Sequence, residues 1–172
     1  VKQKDHYLET YHSKLTLNEA MKLGDLLLKS GKYEEVSFAI HFVIPYQNDY
    51  SANTFQRLGR WLENGVRNWG HTDGMCSLLL EPFLTNEIVT VDAMADWKQS
   101  SSKWKRRAVP VSLIGLVKAG KNVKPILKFV EELMMDDDRF VQQGVGWFLR
   151  EAWKKEPKPV ELMLLKWKDR AP

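Results

Sequence analysis

Between Ser101 and Gly120 the chain reads SSKWKRRAVPVSLIGLVKAG, and this stretch constrains the fold more than any other. Its start carries Lys103, Lys105, Arg106 and Arg107 around Trp104; its remainder carries Val109, Val111, Leu113, Ile114, Leu116 and Val117. A run that is apolar on so many sides reads as a buried helix. The charge sits at the unfavourable end, because the macrodipole already makes a helix N-terminus positive. From Ser100 to Lys128 there are eight Lys or Arg and no Asp or Glu. Such a start is expected to meet an anion from outside the chain, with nucleic-acid phosphate the obvious candidate.

The rest of the chain reads as helices of similar length. Thr16 and Glu19 form a capping box for a helix from Leu17 to about Ser30, closed by Gly31. A second is expected from Tyr33 to about Ile44, stopped by Pro45, and a third from Thr54 to Asn64. Asn68 to Gly74 (NWGHTDG) reads as a turn. Apolar helices are expected over Met75–Leu84 and Glu87–Lys98, with Ser100 to Ser102 able to cap the central helix. Beyond Gly120, helices are expected over Val123–Met135 and Arg139–Lys155, the latter capped by Asp136, Asp137 and Asp138. Glu156 to Pro159 reads as a break before a last helix, Val160–Lys168. No strand or hairpin pattern stands out. The expected fold is all-α: one domain over residues 1–172, an α-α superhelix of antiparallel helix pairs of the HEAT-like or armadillo type. Its repeats rest on helix lengths and short connections, since the sequence shows little self-similarity. The chain begins without methionine and is expected to be trimmed at both ends.

A chain of 172 residues, 44% hydrophobic, is long enough for one real core. The net charge of +4 permits a polyanion partner, and the local clustering argues for one more strongly. The single cysteine, Cys76, excludes an internal disulfide framework and points to a reducing compartment, so a cytoplasmic location is expected. No apolar run approaches the ~20 residues of a membrane span.

Three segments carry a resemblance: NWGHTD (Asn68–Asp73), KWKRRAV (Lys103–Val109) and RFVQQGVGWFLREAWKKEP (Arg139–Pro157). In order and spacing they resemble the DNA alkylation repair glycosylases built from HEAT-like repeats, the AlkD type. That resemblance spans roughly Leu17 to Pro159 and implies a monomeric enzyme acting on double-stranded DNA with alkylated bases, needing no metal or organic cofactor. It implies that Trp69 and Asp73 match a Trp-x-x-x-Asp pair at the catalytic cleft. Arg107 matches a cleft arginine holding a backbone phosphate, and Trp147 a second cleft aromatic. Lys103, Lys105 and Arg106 join Arg107 as DNA contacts. The chemistry suits those residue types. A purine alkylated at N3 or N7 is a cation that indole faces attract. A carboxylate stabilises the oxocarbenium-like sugar and orients water. Where better-known members place a Trp before the motif and an acidic residue after Trp69, this chain has Asn68 and Gly70; where Lys-Ala is common, it has Gln143-Gly144.

Other readings compete. A HEAT-like protein can hold DNA without chemistry, or serve as a scaffold for a protein partner. Trp61, Trp97, Trp153 and Trp167 read as packing residues. Arg150 and Glu151 read as an internal ion pair. His71 is a lone candidate base without an evident partner. His6, His12 and His41 lack metal-ligand spacing, and Cys76 reads as buried and inert.

Overall fold

The computed structural model describes His6, Thr10 and residues 14–170. His12 lies outside the described residues. Helix α1 (Leu17–Ser30) starts on the Thr16–Glu19 capping box and ends at Gly31, whose φ of 69° needs a residue without a side chain. Helix α2 (Tyr33–Val43) tightens into a 3₁₀ helix, Ile44–Asp49, where Pro45 has no amide to continue the ladder. Helix α3 (Ala52–Asn64) is capped by Ser51. Helix α4 (Trp69–Met75) passes through a π turn, Cys76–Leu80, into α5 (Glu81–Thr85). A 3₁₀ helix, Val91–Gln99, leads to the central helix α6 (Lys103–Lys118), capped by Ser102. Then come α7 (Val123–Val130) with a 3₁₀ extension, Glu131–Met135, α8 (Arg139–Trp153) capped by Asp138, and α9 (Pro157–Trp167).

Three sequence expectations are corrected. Asn68–Gly74 is not a turn: the Asn68 side chain accepts the His71 amide and starts a helix that buries His71, Thr72 and Met75. Burial overrides the two glycines that suggested a turn. Residues 87–98 form a 3₁₀ helix only from Val91, since Glu87 has φ 58°. Residues 156–159 are no break: Pro157 and Pro159 sit in the first turn of α9, where a missing amide costs nothing.

The pairings between helices define two layers. In one, α2, the α4–α5 rod, α6 and α8 lie side by side. Ser37 meets His71, and Gln47 reaches the Leu78 carbonyl. Cys76 lies against the Ala108 carbonyl and Glu81 against Gly115. Arg107 reaches the Phe140 carbonyl, and Val111 faces Gly144. Sequence number rises on both sides of every pairing, so these inner helices run parallel. The outer layer holds α1, α3, the Val91–Gln99 segment, α7 and α9. It is linked by Asp25 to Trp61, Lys98 to Glu132 and Glu131 to Trp167. Alternation between layers along the chain is the α-α superhelix expected from the sequence. Between the layers Tyr50 stacks on Phe83 and Phe55 meets Phe83 edge-on, with ring centroids 4.3 and 5.3 Å apart, and within the outer layer Phe55 stacks on Trp97 at 4.9 Å. Such pairs add about 0.5–1.5 kcal/mol each beyond burial. Among the described residues no helix is long and apolar enough to cross a membrane.

The layers expose a period that the sequence hides. Inner helices begin at Tyr33, Trp69, Lys103 and Arg139. Each start carries an aromatic residue (Tyr33, Trp69, Trp104, Phe140) just after a cation (Lys32, Arg67, Lys103, Arg139).

Candidate functional site

The start of α4 is fixed by a chain of side chains. Asn68 Oδ1 accepts the His71 amide at 2.9 Å, which turns Asn68 Nδ2 toward His71 Nδ1, 2.8 Å away. Nδ1 is therefore the acceptor, and the proton on Nε2 is given to Ser37 Oγ at 3.0 Å. The Ser37 hydroxyl in turn donates to the Tyr33 carbonyl. His71 is only 4% exposed, and burial pushes its pKa below the ordinary histidine value. It is a neutral structural imidazole with both nitrogens engaged, not the free candidate base.

This seat presents two residues one turn apart. Trp69, the first residue of α4, is 57% exposed. Asp73 follows four positions later on the same face. Its oxygens accept from Arg107 Nε and Nη2, both at 2.9 Å, in a fork that fixes the carboxylate plane. Arg107 comes from the first turns of α6, and its Nη1 donates to the Phe140 carbonyl of α8 at 2.6 Å. At 5% exposure, it is a buried bridge across three helices, whereas the sequence suggested a cation facing a phosphate. Gly144 makes this possible: a Cβ there would lie 3.2 Å from Arg107 Cγ and 3.5 Å from its carbonyl oxygen. Trp147 lies three residues beyond Gly144 on α8, partly buried against the core. Trp69, Asp73 and Arg107 are thus brought together. No hydrogen bond or ring contact among the described residues joins Trp147 to Trp69 or Asp73.

The cations at the start of α6 are answered from within the chain. Lys105 pairs with Glu63 at 2.9 Å, and this bond holds the Glu63 carboxyl below its ordinary value. Arg106 binds Asp136 through Nε (2.6 Å) and Nη2 (3.1 Å), and that bond raises its own pKa. Lys103 lies 3.4 Å from Asp138 and over the Trp104 and Phe140 rings. Chain-distant carboxylates supply countercharge to these cations, which the local sequence leaves unpaired. Lys103 keeps 39% side-chain exposure, against 15% for Lys105 and 16% for Arg106.

The remaining candidates fall outside this edge. Trp61 and Trp97 are core, while Trp153 is exposed and donates to Glu161. Arg150 and Lys154 both pair with Glu151. Cys76 is fully buried, and its thiol is pushed up to about 12. Among the described residues no group of His, Cys, Asp or Glu is placed to hold a metal ion. The sequence marks Asn68 only as a departure from the family pattern and gives Ser37 and Tyr33 no local motif, although the three hold His71 in place. The aromatic residue recurring about every 36 positions at inner-helix starts is the signal that marks Tyr33.

A family model described as DNA alkylation repair enzyme matches residues 2–172. Comparison with curated proteins finds no match.

Proposed function

The chain belongs to the DNA alkylation repair enzyme family, and from that premise we propose that it is a DNA glycosylase. It hydrolyses the N-glycosidic bond of cationic alkylated purines, of the 3-methyladenine and 7-methylguanine type, in duplex DNA. The observation that carries this reading is the Asp73 carboxylate, held in plane by the Arg107 fork beside an exposed Trp69 indole.

The C1′–N9 bond breaks with its electron pair leaving on the purine, which cancels the positive charge of the alkylated ring. The sugar becomes oxocarbenium-like. Asp73 keeps lone pairs beyond those given to Arg107, and they face the developing charge and orient the attacking water. Water adds to C1′, and its proton passes to the Asp73 carboxylate and from there to solvent. Trp69 and Trp147 attract the cationic base by cation–π contact, about 0.5–2 kcal/mol each. Arg107 positions the carboxylate, and Lys103, the most exposed of the four cations, takes a phosphate. Lys105 and Arg106 reach the duplex only if they share or leave Glu63 and Asp136. No metal or organic cofactor enters this scheme, and the chain acts as a monomeric cytoplasmic protein.

A second reading is DNA binding without base release. It is favoured by one observation: both Asp73 oxygens already accept from Arg107. The deciding experiment incubates the protein with methylated duplex DNA and measures free 7-methylguanine and 3-methyladenine. Release that Asp73→Asn abolishes supports the glycosylase. Binding without release selects the second reading. Neither binding nor release leaves a helical scaffold for a protein partner.

A further inference from the structure

Tyr33 is an exposed aromatic residue with a fixed seat. Its side chain belongs to a residue 58% exposed, yet its ring rests on the buried His71 ring with centroids 4.2 Å apart. His71 is itself clamped by Asn68 and Ser37. The Tyr33 hydroxyl has no hydrogen-bond partner among the described residues, and it lies 3.6 Å from the point where a Cβ on Gly70 would stand. Gly70 follows Trp69 directly, so the phenol leans over the start of α4 beside the Trp69 position. Tyr33 and Trp69 are both first residues of neighbouring parallel helices in the inner layer. The other strongly exposed aromatic residue, Trp153, is tied to Glu161 through its ring nitrogen.

An aromatic side chain that is ordered before a ligand arrives loses little entropy on binding and offers a flat, sequence-tolerant face. We propose that Tyr33 is a further DNA contact of the same site, stacking on the nucleobase next to the one addressed by Trp69. Its hydroxyl is then free to hydrogen-bond that nucleotide. The two ring faces together read a stretch of strand rather than a single base, and Gly70, whose missing Cβ would stand 3.3 Å from Asn68 Oδ1 and 3.6 Å from the Tyr33 hydroxyl, lets the phenol lean in over α4. This inference rests on the glycosylase reading above, because it needs DNA at the Trp69 edge.

The test is binding of a labelled duplex carrying a stable abasic-site analogue, and of its undamaged counterpart, followed by fluorescence anisotropy over a salt series. The variants are Tyr33→Phe, which keeps the ring, and Tyr33→Leu, which keeps an apolar cover on His71 without a ring. The expected result is about a tenfold loss of affinity for the lesion-bearing duplex in Tyr33→Leu, the size of one base–aromatic stack. Tyr33→Phe keeps most of the affinity, and the salt slope is unchanged in both, since no charge is removed. A Tyr33→Leu protein that binds like the wild type overturns the inference, as does a loss in Tyr33→Phe equal to that in Tyr33→Leu. If the wild type binds neither duplex, the glycosylase reading falls with it. Wild-type binding that is indifferent to Tyr33 overturns this inference alone.

Discussion

Arg107 and Asp73 lie 34 residues apart and meet through two parallel hydrogen bonds of 2.9 Å. The guanidinium fork leaves the carboxylate one plane and one direction, so the negative charge at the α4–α6 edge is aimed rather than loose. Everything proposed for the chemistry depends on that aim.

Replacing Asp73 by Asn should remove base release while leaving the duplex bound. One preorganised charge of this kind is worth about 10²–10³ in rate. The check is release of 7-methylguanine from methylated DNA, run beside an anisotropy titration. Release at the wild-type rate would sink the catalytic role of Asp73.

Arg107→Ala should destabilise the fold, because Arg107 is a buried bridge rather than a free phosphate contact. It strands the Phe140 carbonyl and leaves Asp73, with 18% side-chain exposure, without its partner. Breaking a fully buried pair costs about 3–5 kcal/mol, and the partial exposure of Asp73 brings the expected loss nearer about 2–3 kcal/mol. Urea unfolding measures it; a change within error would mean the bridge is dispensable.

Gly144→Ala separates geometry from stability. Alanine is the better helix former by about 1 kcal/mol, which offsets the crowding against Arg107 Cγ at 3.2 Å. Stability should therefore move by no more than about 1 kcal/mol, while base release falls as the fork is displaced. Unchanged kcat with unchanged stability would show that the guanidinium tolerates the shift.

His71 makes stability depend on pH. Burial lowers its folded-state pKa below the ordinary 6.5, so the unfolded chain takes up a proton first as pH falls. Its contribution is fully present above about 6.5 and is lost as pH drops from there toward the lowered folded value. Unfolding free energies at several pH values should fall over that window in the wild type and less steeply in His71→Gln. Parallel profiles would remove His71 as the cause.

Legibility from sequence divides along the reach of each interaction. The Thr16–Glu19 box, the Gly31 stop and the Ser102 cap are local signals, and each stands in the structure as read. The stretch at Trp69 looks like a turn in sequence because its helical support is tertiary: the burial of His71 and Thr72 outweighs Gly70 and Gly74. The cations at 103–107 looked unpartnered because their carboxylates lie 30 to 42 residues away, one repeat removed. The fork between Asp73 and Arg107 is invisible in sequence for the same reason, although the motifs mark each residue separately. Tyr33 escaped because its meaning lies in a period seen only when helix starts are aligned.

Helix α6 is fastened from three directions: Glu63 from α3, Asp73 from α4, and Asp136 with Asp138 from the approach to α8. Among the described residues α1 and α9 are held by fewer carboxylates: Asp25 ties α1 to α3, and Glu131 ties α9 to the segment after α7. Local opening should therefore reach α6 late, with its amide protons exchanging after those of the less fastened α1 and α9. The edge that holds Asp73 would then be among the final parts of the molecule to lose its shape.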